Sequence, residues 1–137
     1  MSDEAQGDPD AGWRALTDHE RRLLEALLAQ DFPGSRNLMA QVEAADAQRG
    51  CECGCGTINL RVNESLAPEV VLTGSLAPGE AVVLSETGEV VGGLVVFVRA
   101  GYLSCMEIYT FGDPAPLPPL DRIRPHVVNG RAPGAEA

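Results

Sequence analysis

The sequence predicts an α+β fold, with an N-terminal αα-hairpin packed on one face of an antiparallel sheet of about four strands. Three observations carry this expectation. Apolar residues recur at helical spacing as far as about residue 47, they alternate with a period of two from Thr57, and two glycine-bearing connectors join three β-rich runs further on.

The first helix is predicted to start at Thr17-Asp18-His19-Glu20, where the threonine hydroxyl can accept from the Glu20 amide while the Glu20 carboxylate reaches back to the Thr17 amide. Leu23, Leu24, Leu27 and Leu28 then form one apolar stripe, and Asp31-Phe32-Pro33-Gly34 ends it because proline cannot continue the helical ladder. A second helix is expected after Ser35, a favoured capping residue, running to about Ala47 with Leu38, Met39, Val42 and Ala45 on its buried side. Gly50 closes the hairpin.

Ile58, Leu60 and Val62 alternate with Asn59 and Arg61, the pattern of a strand buried on one face. Val70-Val71-Leu72 reads as an edge strand or an ordered loop among Pro and Gly. The runs 81–85, 90–98 and 102–111 are joined by Glu86-Thr87-Gly88 and Arg99-Ala100-Gly101, each with Gly in the third position that a three-residue hairpin loop needs. That chemistry pairs Ser85 with Glu89 and Val98 with Tyr102. It places Val82, Leu84, Val90, Leu94, Val96, Val98, Tyr102, Met106 and Ile108 on the face that meets the helices. The other face then carries Val83, Val91, Val95, Phe97, Leu103, Cys105, Glu107 and Tyr109, which is too apolar to be left wholly to water. Its expected cover is the Pro-rich segment 113–120 or a partner chain. Gly92-Gly93 inside a strand implies a bulge or a close backbone contact. Residues 1–12 read as a flexible acidic tail, 13–124 as the single domain and 125–137 as a second tail.

Composition bounds the function. The chain has 137 residues, a length suited to one core, and carries 20 acids against 10 bases for a net charge of −10, with arginine as its only basic residue type besides histidine. Phosphate backbones and anionic membranes would be repelled; the acidity either simply keeps the chain soluble or steers a basic protein partner inward. Aromatic residues at 4% are too few for a base-stacking platform. The N-terminus lacks a basic then hydrophobic leader, and no stretch has the roughly 20 apolar residues of a membrane span, so a cytoplasmic location is expected.

In that compartment thiols stay reduced, which turns attention to Cys51, Cys53 and Cys55. An extended backbone would project all three to one side, and with Cys105 they supply the four thiolates of a closed zinc site, although Cys-x-Cys departs from the usual knuckle spacing. Soft sulfur ligands also suit Cu(I). Three readings stand open: a metal site, small residues that let the chain pack closely beside a helix, and a reactive thiol. A catalytic thiolate wants a base, and the chain offers only His19, in a first helical turn, and His126, in the C-terminal tail. Glu107 is the other residue out of place, an acid within an apolar strand. It is a site candidate if buried beside Cys105, and an ordinary surface acid if open to water or paired with an arginine such as Arg61.

Leu16-Thr17-Asp18, Asp31-Phe32-Pro33-Gly34, Cys53-Gly54-Cys55, Val91-Gly92-Gly93 and Leu103-Ser104-Cys105-Met106-Glu107-Ile108-Tyr109 together resemble a group of small, uncharacterised actinobacterial proteins with a Cys-x-Cys-Gly-Cys motif. The resemblance covers roughly residues 13–113 and implies the α+β fold alone. The resulting expectation is a small non-enzymatic acidic binding protein, an immunity- or antitoxin-like partner of a basic protein, or a homodimer formed through the second sheet face. The alternative is a cysteine-thiolate zinc protein with a structural or sensing role. No catalytic residue is assigned.

Overall fold

In a computed structural model, which describes residues 12–30, 34–50, 55–71 and 79–127, two helices pack with a seven-stranded antiparallel sheet. The strands are β1 (Arg14–Ala15), β2 (Ala45–Arg49), β3 (Ile58–Val62), β4 (Gly79–Leu84), β5 (Val90–Arg99), β6 (Tyr102–Thr110) and β7 (Ile123–Val127), in the spatial order β1-β2-β3-β6-β5-β4-β7. The α+β class holds, but the sheet is larger than the four strands expected. The three additional strands are β1, β2 and β7.

Helix α1 (Asp18–Leu28) starts on the predicted capping box, with Glu20 N donating to Thr17 Oγ1 at 3.0 Å and Thr17 N to Glu20 Oε1 at 2.9 Å. Its leucine stripe is fully buried. Arg14 grips the same carboxylate through two bonds of 2.8 Å, which ties β1 to the helix. Helix α2 (Ser35–Val42) takes Gly34, at φ 89°, as its cap, so Ser35 is the first helical residue and not the cap.

The second helix is shorter than its sequence suggests. It stops at Val42, and Ala45–Arg49 forms β2, whose alternating small and polar side chains pair in register with β3 from Ala45↔Val62 to Arg49↔Ile58. Alanine and glutamine favour a helix locally, and pairing with β3 overrides that preference. Gly50 accordingly follows a strand, its amide donating to Thr57 O at 3.0 Å.

The first hairpin loop is as predicted: Ser85 N donates to Glu89 O at 2.8 Å, and Gly88 sits at φ 92°. A bulge follows at once, because Leu84 pairs with Val90 but Val83 with Gly92. This one-residue slip sends Ala81 and Val83 to the core in place of Val82 and Leu84. The second connector is one residue shorter than expected. Ala100 and Gly101, at φ 53° and 88°, form a two-residue turn, so Arg99 pairs with Tyr102 and Val98 with Leu103. A second irregularity at Ser104 restores the parity, and Met106 and Ile108 reach the core as predicted while Leu103 takes the place assigned to Tyr102.

Gln41 is fully buried where α2 meets this turn. Its Nε2 donates to Pro68 O at 2.9 Å and Gly101 O at 3.0 Å, and its Oε1 accepts from Leu103 N at 2.9 Å. The Val70-Val71 stretch is an ordered loop, with Val70 N donating to Gly101 O, and Leu72 lies outside the described residues.

After β6 the Pro-rich segment reaches only one border of the far face, where Gly112, Pro114 and Ala115 line a cavity of about 390 Å³ with Glu107 and Tyr109, and it leaves the rest of that face open. Beyond it the chain runs on the helix side: Gly56 N donates to Ala115 O at 3.1 Å, Leu117 packs on the core, and Pro118 O lies 2.8 Å from His19 Nε2. A short 3-10 turn (Leu120–Arg122) leads into β7, which pairs with β4 from Val83↔Ile123 to Gly79↔Val127. Residues 125–127 therefore belong to the sheet. Pro125 is tolerated there because β7 is an edge strand.

Candidate functional site

The face of the sheet turned away from the helices carries the features that sequence reading singled out. Register defines its rows. Phe97 lies opposite Cys105, and Glu107, Val95 and Glu80 stand side by side on β6, β5 and β4. Tyr109 faces Gly93, where an added Cβ would sit 2.3 Å from the Tyr109 hydroxyl, so the ring occupies the space that the glycine leaves. From there its hydroxyl donates to Glu80 Oε2 at 3.1 Å. The Phe111 ring lies tilted against that of Tyr109, 6.3 Å between centroids, and the Phe111 amide donates to Val91 O.

This arrangement leaves an apolar ridge in water. Tyr109 is 40% exposed, Phe111 72%, Val90 49% and Val91 36%, while Phe97 is half-buried further along β5. Val83 and Leu103, expected here, lie in the core instead. Towards β1 the face turns polar: the Arg61 guanidinium stacks 4.5 Å from the Trp13 ring and reaches Asp46 at 3.4 Å. On the β7 side the Arg124 guanidinium is bonded to the carbonyls of Asp121 and Ile123.

Glu107 is half-buried on this open face. It acts on its neighbours: burial first, and then the Glu107 charge, push the Cys105 thiol up to about 11. Cys105 is thus a protonated thiol at neutral pH. Burial, the bond to Glu80 and the charges of Glu80 and Glu107 likewise raise the Tyr109 phenol.

The cysteines separate. Cys55 packs against the core at the end of the sheet, Cys105 lies on the open face beside Phe97, and Cys51 and Cys53 fall outside the described residues. Among the described residues no three His, Cys, Asp or Glu side chains converge to hold a metal ion. Cys55 does share a cavity of about 590 Å³ with His19, Arg14, Glu20, Arg49 and Thr57. The Pro118 carbonyl fixes the imidazole there with Nε2 as donor, leaving Nδ1 as the acceptor in the neutral ring. In the same cavity burial works to raise the Glu20 carboxyl, and the bonds from Arg14 and Thr17 overcome it, holding that carboxyl below its ordinary range.

Two of these features escaped sequence reading. Proximity of His19 to Cys55 depends on the path of residues 113–119, which no local pattern encodes. The Tyr109 posture had a signal, an aromatic residue directly across a strand pair from a glycine. Compared with protein-family models, curated proteins and solved structures, the chain finds no match. No helix among the described residues is long and apolar enough to cross a membrane.

Proposed function

We propose that the protein is a small, non-enzymatic, acidic binding protein of the cytoplasm, an immunity- or antitoxin-like partner that takes a basic protein onto the open face of its sheet. The observation that carries this reading is the contiguity of exposed Tyr109, Phe111, Val90 and Val91 with the carboxylates of Glu80 and Glu107, on a chain of net charge −10. Aromatic side chains at the centre of a patch are what protein interfaces favour, and acidic surroundings select and steer a basic partner. Capture from native lysate with wild-type protein and with Phe111→Asp, read by native mass spectrometry, tests it. A stoichiometric basic protein retained by the wild type and lost by the variant supports the reading. Recovery of monomeric protein without such a partner, or of a homodimer sensitive to Phe111→Asp, ends it.

A second reading, a cysteine-thiolate metal site with a structural or sensing role, is favoured by Cys55 as a free, half-buried thiol that shares a cavity with an imidazole immediately after Cys51 and Cys53. Metal analysis of untagged protein beside Cys53→Ser decides it. Zinc or copper bound by the wild type and lost in the variant supports the site, and metal-free wild type removes it.

A further inference from the structure

We infer that the partner segment recognised by the open face is a basic amphipathic α-helix laid along β5, an inference that rests on the binding function proposed above. The register sets its dimensions. Glu107 and Glu80 flank Val95 on the two neighbouring strands, so their backbones stand two strand spacings apart, about 10 Å. An α-helix with its side chains is roughly 10–12 Å across. A helix lying over Val95 therefore brings one flank to each carboxylate while its apolar stripe meets the ridge between them.

Length agrees with this. From Phe97 to Val91 along β5 is six residues, about 20 Å of strand, which a helix of roughly 13 residues spans. The ridge along that line is uneven in a way that suits helical side chains. Phe97 stands at one end, Tyr109 crosses over Gly93 in the middle, and Phe111 with Val91 forms the other end. Basic flanks complement the carboxylates on both sides. Glu80 keeps its carboxylate at the surface while accepting a single bond from the Tyr109 hydroxyl, and Glu107 is half-buried across from it. The arginines at the borders of the face already reach other groups, Arg61 reaching Asp46 and Arg124 the carbonyls of its own turn.

An extended segment fits this surface less well. A strand adds through backbone pairing at a sheet edge, whereas the carboxylates stand on β4 and β6, each already paired on both sides. A helix in contact with a face makes its contacts through side chains alone, and that is what β5 offers.

Synthetic peptides test the inference on the full chain at physiological salt by fluorescence anisotropy. The probe is a 16-residue helix with leucine at i, i+3, i+4 and i+7 and arginine on both flanks. Three relatives of the same length serve as comparisons: one with glutamate flanks, one with serine replacing the leucine stripe, and one with the probe's composition rearranged into strand-like alternation. The arginine-flanked helix is expected to bind, with Phe111→Ser weakening it tenfold or more, as loss of an anchoring aromatic does. Glu80→Gln and Glu107→Gln are expected to weaken it about threefold each, the size of a partly screened ion pair. Equal binding of the alternating or serine-striped peptide, indifference to the three variants, or occupation of the face by a second copy of this chain overturns the inference. Capture of a basic partner that depends on Phe111, together with no preference for the helical probe, overturns the helix alone and leaves the binding function standing. Absence of any basic partner overturns both.

Discussion

Replacing Gln41 by methionine isolates the clamp between α2, the β5–β6 turn and the loop carrying Pro68. Methionine has nearly the same volume and fills the site, so the loss is that of three hydrogen bonds, to Pro68 O, Gly101 O and Leu103 N. Gly101 O keeps the bond it receives from Val70 N, and Pro68 O, on an exposed residue, can turn to water, so the one buried backbone group left without its partner is the Leu103 amide. At about 1–3 kcal/mol for the orphaned amide and about 0.5–1.5 kcal/mol for the lost bond to Pro68 O, the variant should lose roughly 2–4 kcal/mol. With a urea dependence of about 1–3 kcal/mol per molar, the unfolding midpoint falls by about 1–2 M at unchanged slope. Hydrogen exchange should also show the Leu103 and Val70 amides losing protection before the rest of β5 and β6. A loss below about 1 kcal/mol, with the Leu103 amide still protected, would refute the clamp.

Three further outcomes follow from the geometry. Because Arg14 and Thr17 hold the Glu20 carboxyl below its ordinary range, its contribution is present in full above the unfolded value near pH 4.3 and is lost as pH falls through the lower folded value. Thermal melts from pH 7 down to pH 2.5 should therefore drop less steeply for Glu20→Gln than for the wild type, the variant already being about 1–2 kcal/mol weaker at pH 7. Cys105, raised to about 11, should react with iodoacetamide at pH 8 about a hundredfold more slowly in the native protein than in urea, and rapid native labelling by mass spectrometry would contradict its placement. Gly92→Ala would set a Cβ 2.1 Å from the Tyr109 carbonyl, so the β5–β6 pairing must part locally. Calorimetry should show a loss of several kcal/mol, and a melting temperature within a degree of wild type would argue against that approach.

What the sequence made legible is what local chemistry determines. The capping box at Thr17, the leucine stripe of α1 and the Glu86-Thr87-Gly88 loop each depend on residues within a few positions of one another, and each appears as read. Correct placement of Met106 and Ile108 had a different origin. The second turn is one residue shorter than inferred and a bulge at Ser104 adds one back, so two departures cancel in parity. On β4 the bulge after Leu84 had no such compensation, and its buried side changed. Strand β2 was hidden because Ala45 continues the helical spacing from Val42, and only β3 reveals it as a strand. Glu107 stood out as an acid among apolar neighbours, yet its pairing with Val95 and the proximity of Glu80 are matters of register.

Among the described residues, the first and last strands occupy the two borders of the sheet, β1 with two residues and β7 with Pro125, whose nitrogen has no hydrogen to give. A two-residue border and one interrupted by proline offer little ladder, among the described residues, for another chain to extend. A partner of the proposed kind would therefore be met by side chains on β4, β5 and β6, which can be exchanged one at a time, and not by the main chain, whose pattern is the same in every protein. Those outward positions can be rewritten while the strand pairing and the leucine-filled side beneath them stay as they are.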